Sequence, residues 1–212
     1  MAEADRLENS NKACLAAGVN PITSFTQGTA EATFCKEWYE LITLAELSIY
    51  KWRFATKTFD LSPNILVDPP DTKYNVAYTM PTDVLSVDTL LVNDGGAGAS
   101  DRSRVIDYDR FQNQIHTFDT TNDTVIMKYR FRADESIWNP YFRLLVVYRL
   151  ATMLSFSISR KEDMAASLKG LADEHYRRAK TEDAQAQTNQ KVNLRKIVRN
   201  RSGSLDRFWR TR

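Results

Sequence analysis

Two histidines, two cysteines and one glycine-rich run are the residues whose types could do chemistry, and their spacing decides which. His116 and His175 stand in separate segments, with no H-E-x-x-H and no C-x-x-C beside them, so a metal site is not expected. His175, on an apolar helical face, reads as a hydrogen-bonded core residue. Cys35 follows Glu31 by four positions on a helix and would be a nucleophile only beside a histidine, which the sequence does not place there. Asp107 and Asp109 alternate on a strand and so share one face, where paired carboxylates could exchange protons; Asp134 and Glu135 read as a turn leading into Trp138. The run NDGGAGASD lacks the lysine of a P-loop, and the spacing Gly96-x-Gly98-x-x ends on Asp101 where a dinucleotide fingerprint needs a third glycine. It reads as a hairpin loop instead. No serine elbow is present. These residues predict a protein that catalyses nothing and holds neither cofactor nor metal.

The elements that must position these residues follow from periodicity. Helix formers fill residues 4–17, and Gly18 stands at a C-terminal cap. Thr29 predicts the N-cap of a second helix running to Tyr50. On it Phe34, Trp38, Leu41, Ile42, Ala45 and Ile49 repeat as one apolar face toward the core. From Lys51 to Phe131 the segments KWRFATKTFDL, KYNVAYTM, VLSVDTLLV, RVIDYD, NQIHTF and DTVIMKYRFR predict strands of an antiparallel sheet or small barrel, with SPNILVDPPD as a loop. Tyr129 and Phe131 are expected inward there, with Arg130 and Arg132 solvated outward. The opposite arrangement would make an aromatic and basic face for single-stranded nucleic acid. Trp38, Trp52 and Trp138 are expected in the core. Asn139-Pro140 predicts an N-cap and first helical residue for a central helix to Ser157. Ser159-Arg-Lys-Glu162 predicts a capping box opening a last helix to Ala186, with Met164, Leu168, Leu171, Ala172, His175 and Ala179 along one face.

The fold class predicted is α+β: a four-helix bundle formed by the N- and C-terminal helix pairs, with an inserted antiparallel β-rich subdomain and a C-terminal extension. The boundaries expected are 1–52 and 138–188 for the two halves of the bundle, 53–137 for the insert and 189–212 for the extension. Cys14 and Cys35 are too few for a disulfide framework and predict a reduced, cytosol-made protein. No signal peptide is expected, because AEADRLENSNK after Met1 lacks a hydrophobic run. The longest apolar stretch, YFRLLVVYRLATMLSFSIS, is expected to be too short and, with Arg143 and Arg149, too charged to span a membrane.

Charge is unevenly distributed. From Asn189 onward eight Lys/Arg face a single Asp206, a net of +7 against +2 for the whole chain, which leaves residues 1–188 at −5. A basic tail on an acidic body predicts a partner for the tail. Its two halves repeat one pattern eleven residues apart: Leu194, Ile197 and Val198 followed by Arg199 and Arg201, then Leu205, Phe208 and Trp209 followed by Arg210 and Arg212. Each apolar trio lies on one face of a helical turn with arginines at its edge. Such trios suit a groove between subunits better than a DNA backbone.

Several segments taken in order resemble one family, the tail tubular protein A or head-to-tail adaptor proteins of short-tailed bacteriophages. They are ACLAAGVNPITSF with its Gly18…Pro21-Ile22-Ser24 loop, the helix EWYELITLAELSIYKWRFAT with its Trp52-Arg53-Phe54-Ala55 step, and the Met80-Pro81-Thr82-Asp83 turn. A strand pair around Tyr108 and Ile115, the helix WNPYFRLLVVYRLA and a long closing helix complete the set. The match runs over residues 4–188, and the extension beyond Thr188 departs from the family's shorter members. The resemblance implies a structural virion protein, made in the host cytoplasm. It would form a ring of twelve below the portal protein and join it to the tail nozzle protein. Genomic DNA would pass through the channel without sequence-specific binding, and no membrane would be involved. An acidic body suits such a channel, since a basic lining would hold the phosphates. On this reading the tail residues above dock on the portal, and the loop bearing Asp94, Gly95, Gly96, Gly98 and Asp101 meets the nozzle or a neighbouring subunit. Two other readings stay open: a nucleic-acid-binding module gripping phosphates with the tail, and a tail-associated hydrolase acting on the cell wall.

Overall fold

The computed structural model describes residues 2–62, 65–66, 73–93, 103–118 and 124–186. Within them the chain is mixed α+β, with four α-helices and two antiparallel sheets. Helix α1 spans Ala2–Ala17. It ends where Gly18 turns left-handed (φ 66°) and the Val19 and Gly18 amides reach back to the Cys14 and Leu15 carbonyls, a paired closure that glycine adopts at no steric cost. Helix α2 spans Ala30–Ile49, and the Thr29 hydroxyl accepts from the Ala32 amide as its N-cap.

Eight strands follow: β1 (Thr56–Asp60), β2 (Ile65–Leu66), β3 (Val76–Thr79), β4 (Val84–Asn93), β5 (Ser103–Ile106), β6 (Tyr108–Phe111), β7 (Gln114–Thr117) and β8 (Thr124–Phe131). They form two four-stranded sheets, in the orders β1-β8-β4-β5 and β2-β3-β7-β6. Leu90, Val92, Val125 and Met127 of the first sheet and Val76, Tyr78 and Ile115 of the second join one apolar core, so each sheet buries one face on the other. Three expectations need correction here. Residues 51–55 are not strand, because Arg53–Ala55 make a 3-10 turn. Part of the expected loop, Ile65–Leu66, pairs with β3. RVIDYD divides at Asp107 between strands of different sheets, so Asp107 and Asp109 share no strand face; Asp109 instead pairs with Lys73 at 3.6 Å.

The chain leaves the sheets through a 3-10 turn, Glu135–Ile137, and enters α3 (Pro140–Leu154). Asn139 Oδ1 accepts from the Phe142 amide at 2.6 Å with Pro140 in the first turn, as the sequence predicts. A π-helical turn, Ser155–Ser159, extends it, and α4 spans Glu162–Gln185. The expected capping box is not formed. The N-cap is Lys161, without a side-chain cap bond, and the Ser159 hydroxyl instead donates to the Ala17 carbonyl at 3.0 Å. Arg160, left-handed at φ 51°, turns the chain between the two helices and takes Ser159 out of cap position.

Residues of all four helices share the second core, built around Trp52, Phe142, Leu145, Leu150 and Leu154. Pro140–Ser159 is long and apolar enough to cross a membrane by length and composition, which corrects the reading of that stretch as too short and too charged. Its Phe142, Leu145, Val146, Val147, Leu150, Ala151 and Leu154 are nevertheless buried inside the protein.

Candidate functional site

The tail residues Leu194, Ile197, Val198, Arg199, Arg201, Leu205, Phe208, Trp209, Arg210 and Arg212 lie outside the described residues. So do Asp94, Gly95, Gly96, Gly98 and Asp101. Among the described residues, one feature that points outward is the face of α2, which carries three of the exposed large hydrophobic side chains.

That face reverses an expectation. The buried residues of α2 are Ala32, Cys35, Tyr39, Ile42, Thr43, Glu46 and Leu47. Of the predicted apolar face only Ile42 is among them, whereas Trp38, Leu41 and Ile49 are 42%, 60% and 64% exposed and Ala45 is exposed as well. Phe34 is half-buried and stacks on Trp38, with ring centroids 5.7 Å apart. Beside this pair lies a cleft lined by Thr33, Phe34, Glu37, Trp38, Ser157 and Ile158, with the exposed Phe156 next in the chain. The expectation that Trp38 is core is therefore corrected, while Trp52 and Trp138 are buried as predicted.

Buried polar contacts fix the rotation of α2. Asn9 donates to the Tyr39 hydroxyl at 3.1 Å, and that hydroxyl donates to Glu135 Oε1 at 3.3 Å. Burial pushes the Tyr39 phenol up, so it stays a donor. Glu135, fully buried, is satisfied by Arg132, whose Nη2 reaches Oε1 at 2.6 Å and whose Nη1 reaches Oε2 at 3.1 Å. The same guanidinium grips Glu40 through Nε at 3.0 Å and Nη2 at 3.1 Å. Burial would raise the Glu40 carboxyl, but Arg132 and Arg6 outweigh it and hold the group below the usual carboxylate range. A second cation, Arg130, meets Asp88 at 3.1 Å, where a bulge in β4 re-aims the strand, and donates to the Ser48 carbonyl of α2. Tyr129 is buried as predicted, but Arg130 and Arg132 are structural ties rather than solvated groups. That removes them from any nucleic-acid face on this strand.

The groups considered for chemistry are spread through the molecule. Cys14 and Cys35 face each other across α1 and α2 with sulfurs 3.9 Å apart, both fully buried. The hydrogen bond from its neighbour and burial push the Cys35 thiol up, opposite to what a nucleophile needs. His116 is buried on β7, its Nε2 3.1 Å from Gln114 Oε1, with Tyr74 and Phe111 against the ring. His175 stacks flat on Tyr148 at 5.1 Å, and burial holds its pKa below the ordinary histidine value. Its Nδ1 has no hydrogen-bond partner, so it is a stacked residue rather than the hydrogen-bonded one expected. Leu171, expected on the buried face of α4, is 40% exposed. Among the described residues no three His, Cys, Asp or Glu side chains come together in a way that could hold a metal ion.

The outward stripe of α2 carried a sequence signal, its apolar period, but that signal is the same for a core face and for a surface awaiting a partner. Compared with known protein families and with curated proteins, the chain matches no family model and no curated protein.

Proposed function

We propose that this chain is a structural virion protein of the head-to-tail adaptor kind. Its four helices form one bundle from which the β-rich insert projects, and twelve copies ring the DNA exit channel between portal and tail nozzle. The observation that supports the reading is the shared helical core: helices from both ends of the chain pack together around the entry and exit of the insert, as the helix pattern of the sequence predicts. The exposed apolar face of α2 supports it, since a large outward apolar stripe belongs to a protein that works by contact.

In this reading the tail docks on the portal through its two apolar trios, and the glycine-rich loop meets the nozzle or a neighbour. No catalytic step is assigned. Electron microscopy of the purified protein mixed with portal-bearing heads tests the proposal: a ring of density below the portal supports it, and heads that stay bare under saturating protein overturn it. The net +7 of the tail favours one second reading, a phosphate-gripping module. That reading requires DNA affinity to fall with salt by about seven or eight counterions' worth.

A further inference from the structure

The two cysteines of the chain stand 21 residues apart in sequence, one on α1 and one on α2, and the fold brings their sulfurs to 3.9 Å with both side chains fully buried. That is sulfur contact without a bond, since a disulfide spans about 2.05 Å. Rotation about χ1 closes such a gap when the two backbones already run close together. The residues around the pair permit that approach. Ser10 and Ala17, one turn from Cys14 on either side, the adjacent Ala13, and Ala32, one turn before Cys35, are all small and fully buried.

A buried free cysteine by itself is only a small apolar side chain. These two do more, because each faces the other and their environments differ. The hydrogen bond from Cys35 holds the Cys14 thiol below the ordinary cysteine value, while that same contact and burial push Cys35 up. Cys14 is therefore the sulfur that becomes a thiolate, and Cys35 the one that keeps its proton until it is needed.

We propose that Cys14 and Cys35 form a reversible disulfide that staples α1 to α2, a redox switch internal to one chain. With hydrogen peroxide as oxidant, the Cys14 thiolate attacks one peroxide oxygen, the O–O bond breaks and hydroxide leaves, which gives the sulfenic acid. The Cys35 sulfur then attacks the Cys14 sulfur. The S–S bond forms, the S–O bond breaks, and the hydroxyl leaves as water with the Cys35 proton. The proton first lost from Cys14 neutralises the hydroxide, so two thiols are oxidised to one disulfide while one peroxide is reduced to two waters. Peroxide is small enough to enter during a local opening of the first helix, and a second thiol already in contact stops the oxidation at the disulfide. A dithiol reverses the bond by exchange. The switch stands independently of the adaptor reading.

The test treats the reduced, full-length chain with hydrogen peroxide in native buffer and reads intact mass, peptide map and melting temperature. The expected product is a single chain lighter by two hydrogens, with one cross-linked peptide pair joining α1 to α2. Its melting temperature should rise by roughly 5–10 °C and return with dithiothreitol. Cys14→Ala and Cys35→Ala should each melt alike before and after oxidation, a comparison made within each variant and so unaffected by its starting stability. Thiols that stay reduced until denaturant is added, a link between two chains, a sulfinic or sulfonic product, or a staple that leaves the melting temperature unchanged or lower would each overturn the proposal.

Discussion

Arg149 of α3 donates from Nε to the Glu46 carboxylate of α2 at 2.8 Å and reaches Asp173 of α4 with Nη2 at 2.9 Å. One guanidinium thus ties three helices. Glu46 is nearly buried, so burial pushes its carboxyl above the ordinary range and Arg149 pulls it only part of the way back.

A carboxyl raised in the fold binds its proton more tightly there than in the unfolded chain. Its contribution is therefore fully present below its ordinary pKa and is lost as pH rises through the raised one. Arg149→Met removes the compensating cation and should cost about 3 kcal/mol at neutral pH. The loss should shrink toward acidic pH, as Glu46 becomes neutral, and adding Glu46→Gln should restore most of it. Denaturant melts of the three proteins between pH 4.5 and 7.5 (a window set by about the ordinary Glu value) check this. A pH-independent loss would show that the pairing is not what is being measured.

The orientation of α2 makes a paired prediction. Leu47 is fully buried and Leu41 is 60% exposed on the same helix. Leu47→Ala should cost about 3 kcal/mol, as core truncations do. Leu41→Ala should change the stability of the single chain by less than about 0.5 kcal/mol. Urea unfolding at low protein concentration measures both, and the reverse ranking would mean that the predicted inward face is the real one.

Helix α4 begins without a side-chain cap, at a residue whose backbone (φ −105°, ψ 90°) is already extended. Lys161→Ser supplies an acceptor for the first free amides and should raise stability by about 0.5–1 kcal/mol. Asn139→Ala, which removes a working cap from α3, should lower it by about 1 kcal/mol. Thermal melts distinguish the two signs, and a destabilised Lys161→Ser would show that Lys161 is needed for another contact.

For the proposed docking of the tail, replacing Phe208 and Trp209 by alanine should reduce attachment to portal-bearing heads far more than replacing Arg210 and Arg212. Buried aromatic anchors typically carry losses of about 2 kcal/mol or more, while exposed ion pairs contribute roughly 0 to 1 kcal/mol. Co-sedimentation with heads gives the comparison. Arginines that matter more than the aromatics, or full attachment after removal of residues 189–212, would exclude this docking mode.

Much of the architecture is written in short-range signals. Thr29, Asn139-Pro140 and Gly18 act on amides and carbonyls within a few residues, so their caps form wherever the chain places them. The strands between Thr56 and Phe131 follow from β-branched and aromatic runs in the same local way, which is why α+β order was legible without coordinates. What only the tertiary structure decided depends on residues far apart in the chain. The apolar arc of α2 is too broad to name its own inner side, and Asn9, Glu135 and Arg132, brought to Tyr39 and Glu40 from other elements, choose it. Assigning Asp107 to the break between sheets and Lys161 rather than Ser159 to the cap of α4 likewise required partners that no local pattern contains. Period fixes that a helix has an apolar stripe, whereas burial is a property of what lies opposite it, and among the described residues nothing buries Trp38, Leu41 and Ile49.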